Sequence, residues 1–372
     1  MSDRKVYFPN LNGLRSIAAV MVIIHHIELL KSVLGLENYW SSVPFIAIMG
    51  KLGVVLFFVL SGFLITYLLL EEERKYASLD IVAFYMRRVL RIWPLYFVIV
   101  ILALFVLPYI GLFEFPGIGR DLIHTHLLPK IVLFVLFLPN LLLSAFGIVP
   151  YAAHTWSIGT EEQFYLIWPV LLLIFRKQKL VMLIFVIIAY LAILKLLFTP
   201  LTDWIPFRPM VQGYWVLFNI DCMAIGGIYA FLLFHKSRVL QILMNRYLFY
   251  MALVLAVLMI FNGVIFKHLH SEIYAVLFGL LILNFAANDR IGISLENKPL
   301  KMLGDISYGL YMYHPITAVF SIQVAAMLGI GTNWFIYPIT VGLTIAVAWT
   351  SYTYFERWFL RHKTKFTRIK SG

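Results

Sequence analysis

Two adjacent histidines, His25 and His26, close an otherwise apolar run, Gly13-Leu-Arg15-Ser-Ile-Ala-Ala-Val-Met-Val-Ile-Ile-His25-His26. Neutral imidazole is the usual general base near neutral pH. Arg15 and His26 are eleven residues apart, about 1100° of helical rotation, so they share a face and lie about 16 Å apart along the axis. His25 points away from that face. A further histidine, His314, ends Ser307-Tyr308-x-x-Tyr311-x-x-His314, with Tyr311 one turn before it and Pro315 next, where a kink is expected.

Arg87, Arg88 and Arg91 recur at i+3 and i+4, so Arg91 stands near both others on one helical face. Guanidinium forks match phosphate oxygens, although the same run would also serve as a basic membrane anchor beside Trp93. Glu161 and Glu162 follow His154-Thr-Trp-Ser157. Thr160-x-x-Gln163 fits a capping box that puts both carboxylates in the first helical turn, and a carboxylate there could orient or charge His26. Ser61-Gly62, inside Phe57–Thr66, reads first as a close-packing notch between helices. No strand–elbow–helix pattern surrounds Ser61, so it is not read as a nucleophile. The pairs His124/His126 and His268/His270 fall in polar loops as solvated side chains, and no metal is assigned. A single cysteine, Cys222, excludes a disulfide framework and a Cys-rich metal site.

The elements that must position these groups follow from composition. Of 372 residues, 62% are apolar and only 13% charged, with a formal net charge of +12. A soluble domain is about 45–50% apolar and about 25% charged, so this chain reads as an integral membrane protein. Runs of the roughly 20 apolar residues a bilayer demands lie at about 11–33, 47–70, 92–113, 161–176, 180–199, 211–235, 246–267, 272–288, 303–329 and 334–360. They lack the alternation of barrel strands, so the fold class is all-α: a polytopic helical bundle of about ten spans. An eleventh stretch, 131–147, is short and carries Pro139. Counted as re-entrant or interfacial, it leaves 23 of the 30 Lys and Arg residues on one side, which the positive-inside rule makes cytoplasmic along with both termini. Counted as crossing, it would invert every later loop. The basic excess is then topological plus attraction to anionic membrane lipid, and no nucleic-acid motif accompanies it.

Five motifs in order carry a family likeness: Asn12-Gly-Leu-Arg15 leading to His26, Phe57-Phe-Val-Leu-Ser-Gly-Phe-Leu-Ile65, Arg87-Arg88-x-x-Arg91-Ile-x-Pro94, Trp156-Ser-x-x-x-Glu161-Glu-Gln-Phe-Tyr165 and Ser307-Tyr-x-x-Tyr-x-x-His314. Together, over roughly residues 8–360, they resemble the integral-membrane acyltransferase 3 family, bacterial O-acetylases of surface glycans. The resemblance implies a multi-pass protein of the bacterial inner membrane. It would transfer an acyl group, most often acetyl from cytoplasmic acetyl-CoA, to a hydroxyl of a carbohydrate or glycolipid acceptor at the outer side. It makes His26, Arg15 and Glu161 the catalytic set and Arg87, Arg88 and Arg91 the donor's phosphate site. Ser61, Tyr308, Tyr311 and His314 would face substrate. Some relatives carry a soluble esterase-like domain after the last span, whereas here a single membrane domain over 1–372 is expected. Phe63 stands where many relatives have Tyr. On the residues alone, buried His and Arg on kinked helices suit a transporter or flippase of a lipid-linked sugar or acyl donor equally well.

Overall fold

A computed structural model describes residues 6–267 and 269–369 of the chain, and in those residues it is all-helical, with no β-strand. The α-helices in order are α1 (Leu11–Val33), α2 (Pro44–Tyr76), α3 (Ile81–Ile101), α4 (Arg120–His124), α5 (Leu127–Val135) and α6 (Pro139–Phe146). There follow α7 (Trp156–Ile174), α8 (Lys179–Leu197), α9 (Arg208–Phe218), α10 (Ile220–Phe234), α11 (Leu240–Leu243) and α12 (Arg246–Phe261). The last are α13 (His270–Ala287), α14 (Lys298–Asp305), α15 (Ser307–Met327), α16 (Asn333–Ser351) and α17 (Arg357–His362). Of the loop histidines, His268 lies outside the described residues.

Each of the ten expected spans falls on a helix, but seven helical stretches among the described residues are long and apolar enough to cross a membrane: Leu11–Val33, Pro44–Tyr76, Ile81–Tyr109, Lys179–Leu197, Arg208–Phe234, His270–Ala287 and Asn333–Phe366. The other three fall short for identifiable reasons. α12 has only 16 residues. α7 and α15 are 19 and 21 residues long, but Ser157, Thr160, Glu161, Glu162 and Gln163 in one, and Ser307, His314, Thr317 and Ser321 in the other, dilute their hydropathy. The helices that least resemble membrane spans are thus two that carry candidate chemistry. Stretch 131–147 is broken: α5 ends at Val135, Phe137 has a positive φ of 55°, and Pro139 opens α6, where its missing N–H costs nothing.

α2 is the central post and packs most extensively on α10 and α1. Lipid supplies no hydrophobic drive between helices, so close backbone approach has to hold them. At Gly62 a β-carbon would strike the Met223 carbonyl, and at Gly226 it would strike the carbonyl of Val59. The Ser61-Gly62 notch is therefore real packing. Interhelix hydrogen bonds reinforce it: Trp168 Nε1 donates to Thr66 Oγ1 at 2.9 Å, and the Thr317 and Thr344 hydroxyls join α15 to α16 at 2.6 Å. Because the Val59 carbonyl cannot move aside, Gly226→Val should cost about 1–3 kcal/mol by overpacking. Thermal unfolding in detergent should show that loss, while Gly342→Val, in open space, should melt as wild type.

Candidate active site

Arg15 is set by the entry to α1. Asn10 takes the left-handed conformation (φ 66°), one Asn tolerates, and there its amide becomes a knot. Asn10 Nδ2 donates to the Phe285 carbonyl at 2.8 Å, its Oδ1 accepts from Leu295 N at 2.6 Å, and its own N–H donates to Glu296 Oε1 at 2.6 Å. Outside the spans, partial burial pushes the Glu296 carboxyl up, but hydrogen bonds from Lys301 and the Tyr7 hydroxyl outweigh it and hold the group below its ordinary value. Asn12 bonds Asp305 at 2.9 Å and accepts from Arg15 Nη1 at 3.3 Å.

From there Arg15 reaches a cavity of about 80 Å³. Its polar walls are Arg15, Ser61, Arg88, Arg91, Glu161 and Tyr308, together with Ser157, Tyr165, Ser307 and Tyr311. Seven of the ten expected site residues line it. The three exceptions, Arg87, His26 and His314, are informative. Arg87 turns to the neighbouring space, 3.5 Å from Glu72 Oε2 and bonded to the Phe366 carbonyl at 2.5 Å, so the three arginines do not act as one face. His26 and His314 are not on the cavity wall and belong to a separate cluster.

Glu161 is not where a capping box would put it. α7 begins at Trp156, a turn earlier than expected, because Ala153–Thr155 already form a 3₁₀ turn that leads into it. Thr160 is therefore inside the helix and gives its hydroxyl to the Leu217 carbonyl at 3.0 Å. Glu161 faces the arginines, taking hydrogen bonds from Ser61 Oγ (3.1 Å) and the Tyr165 hydroxyl (2.7 Å), and it has no bond to His26. The expected direct partnership of Glu161 with His26 is replaced by a Ser61–Glu161–Tyr165 network. Arg88 lies over the rings of Phe84 (5.4 Å) and Tyr165 (5.1 Å), with its Nε buried and unpartnered. No carboxylate among the described residues lies within 4.0 Å of Arg15, Arg88 or Arg91.

The second centre is a row of imidazoles. His25 and His26 sit edge to face at 4.9 Å, His26 and His314 at 4.7 Å, and His314 and His154 at 5.2 Å. A Gly at position 50 makes room for the His25 ring, which a β-carbon there would strike. The Nδ1 atoms of His25, His26 and His314 lie 2.8, 2.9 and 2.6 Å from the carbonyls of Ile46, Val22 and Tyr311. A carbonyl only accepts, so Nδ1 carries the proton and Nε2 keeps a basic lone pair in each. His314 Nε2 and His154 Nε2 are buried without partners. Tyr311 joins the two centres: it lines the cavity, its ring is 5.7 Å from His314, and its hydroxyl bonds Ser157 and the His154 carbonyl at 2.7 and 2.8 Å. Nothing local in the sequence marked His154 as a neighbour of His314, because 160 positions of fold separate them. Of the loop histidines, His124 is tied to the Leu104 carbonyl at 2.8 Å rather than solvated. No group of three or more His, Cys, Asp or Glu among the described residues is disposed to hold a metal ion.

The fold is a multi-pass helical bundle that sets a row of imidazoles beside a guanidinium-lined cavity. The chain belongs to the family described as the acyltransferase domain, acyltransferase 3, which matches residues 8–353. The peptidoglycan O-acetyltransferase OatA of Listeria monocytogenes is 27% identical to it over 331 residues, covering 83% of this chain and 49% of the relative. The putative peptidoglycan O-acetyltransferase YrhL of Bacillus subtilis is 25% identical over 373 residues, covering 94% and 54%. The O-acetyltransferase OatA of Staphylococcus aureus is 29% identical over 196 residues, covering 49% and 28%. The chain spans about half the length of the first two. No solved structure matches it.

Two kinds of buried charge can be told apart by stability. Glu28 and Lys31, both fully buried, are ion-paired at 2.8 Å, and Tyr337 and Asn333 satisfy them further. Lys31→Met should cost about 3 kcal/mol by orphaning that carboxylate. Arg88→Met strands no partner and should stay within about 1 kcal/mol of wild type. Chemical or thermal unfolding of both variants without ligand checks the contrast; equal losses would make Arg88 a structural residue.

Proposed function

We propose that this chain is a membrane-embedded O-acyltransferase that moves an acyl group, acetyl foremost, from acyl-CoA to a sugar hydroxyl of a cell-envelope glycan. The observation that carries the reading is the junction at Tyr311 between a cavity with uncompensated guanidinium groups and a row of imidazoles with free Nε2 lone pairs. An acyl-CoA brings phosphates that need cations and a thioester that needs a deprotonated nucleophile. The names of the relatives, peptidoglycan O-acetyltransferases, support a glycan as acceptor. The basic side identified from the sequence is the cytoplasmic face, where acyl-CoA is available, and the acceptor approaches from the other side. Both termini are then cytoplasmic and the membrane is the bacterial inner one.

In the chemical step His26 Nε2 takes the proton of the acceptor hydroxyl as its oxygen attacks the thioester carbonyl carbon. The carbon–sulfur bond breaks, and the departing thiolate takes the proton back from the imidazolium to leave as the free thiol. The ester is formed and His26 returns to its neutral form. The Nδ1–H bond to the Val22 carbonyl holds the tautomer that this requires. Arg15, Arg88 and Arg91 hold donor phosphate, and Glu161, fixed by Ser61 and Tyr165, sets their geometry. Tyr308, Tyr311 and His314 line the path to the reacting hydroxyl.

Incubation of the purified protein with labelled acetyl-CoA and peptidoglycan fragments or crude glycolipid tests the proposal. Label should pass to the acceptor, and His26→Ala should lower the rate by about 10²–10⁴-fold without loss of folded protein. Label that never leaves the donor would overturn it in favour of transport. Arg91→Ala should raise KM for acyl-CoA far more than it lowers kcat, because phosphate contacts are made equally in ground and transition states; an unchanged KM returns Arg91 to a membrane anchor.

A further inference from the structure

Residues 354–369 lie outside the matched residues 8–353, and of them only the Phe366 carbonyl, bonded to Arg87, enters the arrangement above. A π turn over Tyr352–Glu356 joins α16 to α17 and shifts the helical register. Tyr352, Glu356, Leu360 and Lys363, spaced four, four and three residues, then fall on one face and line a space that Arg15 and Arg91 enter from the other side. Lys363 also borders a second space of about 420 Å³ between residues 360–369 and the facing stretches of α2 and α3. Arg87, Arg88 and Lys363 surround it, with Thr364 and Thr367 adding hydroxyls. Arg88 opens at the same time into the central cavity.

Glu72 is the single carboxylate on that wall, and it is already engaged, 3.5 Å from Arg87 and accepting from Asp80 N at 2.9 Å. No carboxylate among the described residues lies within 4.0 Å of Lys363 or Arg88. The segment is fastened at its far end rather than lying loose. The Tyr76 hydroxyl donates to the Arg368 carbonyl at 3.2 Å, and Arg368 pairs with Asp80 at 2.9 Å. Three cations and two hydroxyls around one neutralised carboxylate leave a positive surplus, matched by tetrahedral phosphate oxygens.

We propose that residues 360–369 and α3 together form a phosphate-binding site in which Lys363 faces Arg88, and that this site takes the polyphosphate end of the acyl donor. The inference rests on the acyl-CoA reading for the identity of the donor and on the cation geometry for the site itself. Part of the donor's phosphate is held here between Lys363 and Arg88, and the rest of the molecule extends past Arg88 to Arg15 and Arg91, with its acyl end in the central cavity. Lys363 is thus a donor-binding residue.

Titration calorimetry on the purified full chain in neutral detergent tests this, with inorganic pyrophosphate and coenzyme A as separate probes. Wild type should bind both, Lys363→Met should weaken each about tenfold, and Lys363→Arg should stay within about threefold. The melting temperature should not change, because the Lys363 side chain has no hydrogen bond among the described residues to lose; should the Met variant melt early, Lys363→Gln carries the same comparison. Binding by the charge-removed variant within about twofold of wild type, or no pyrophosphate binding by wild type, overturns the site. Pyrophosphate binding that depends on Lys363, without coenzyme A binding, supports the site and sinks the acyl-CoA reading instead. In nanodiscs, Lys363-dependent retention of phosphatidylglycerol over phosphatidylcholine that pyrophosphate cannot displace would assign the cations to lipid headgroups and overturn the proposal.

Discussion

Three guanidinium groups, from Arg15, Arg88 and Arg91, share one cavity inside a helical membrane bundle, with a single carboxylate on its wall, Glu161. Charge inside a membrane protein is costly unless it is paired, hydrated or placed against a bound counter-ion. Here pairing is incomplete: Glu161 alone faces three guanidinium groups, and its hydrogen bonds come from Ser61 and Tyr165. The space itself is therefore indispensable, because collapse of the helices onto these side chains would bury them with nothing to solvate them. The bundle has to be tight elsewhere and open here. That constraint accounts for the distribution of small residues on α2 and α10, where Gly62 and Gly226 bring backbones into contact on one side of α2 while Ser61 and Phe57 on another stand against the open volume.

The same constraint explains why polar contacts, and not apolar packing alone, fix the site. Arg15 is aimed by a chain of amides from Asn10 and Asn12 to the loop before α14 and to α14 itself. Tyr165, Ser61 and Trp93 hold the two carboxylates of α7, Trp93 donating to Glu162 at 3.1 Å. The Glu28–Lys31 pair shows the alternative in the same molecule: a buried charge that is purely architectural is given its counter-charge three residues away and two further partners. The contrast between the ion-paired Lys31 and the cavity arginines, which have no carboxylate within 4.0 Å among the described residues, is a physical criterion for which charges await a ligand.

Much of this was legible in the sequence, for reasons that differ by element. The helical membrane class follows from composition, and the break at Pro139 from an imino acid that opens helices but does not continue them. Arg15 and His26 are related by rotation about one axis, which spacing encodes. Three things were not legible. The start of α7 was misplaced because Thr160-x-x-Gln163 satisfies a capping rule that a 3₁₀ turn ending five residues upstream pre-empts. The split of Arg87 from Arg88 depends on Glu72 and on Phe366, both remote in the chain. The count of about ten spans differs from the seven stretches that meet length and composition among the described residues because α12 is short and α7 and α15 trade hydrocarbon for polar side chains. Local periodicity finds helices; it does not say which face meets which.

The imidazole row adds a constraint that no single histidine carries. With Nδ1 of His25, His26 and His314 each committed to a backbone carbonyl, none can donate from Nε2 to its neighbour, and the rings meet edge to face instead of through N–H···N bonds. A neutral cluster so arranged has acceptors in excess and one proton too few to join them. In the proposed reaction the acceptor hydroxyl supplies a donor to this cluster, in which the Nε2 atoms of His314 and His154 are buried and unpartnered. Proton demand on one side of Tyr311 and anion demand on the other are two unmet requirements of a single fold, and a reaction that brings a hydroxyl and a phosphate-bearing acyl donor together meets both at once.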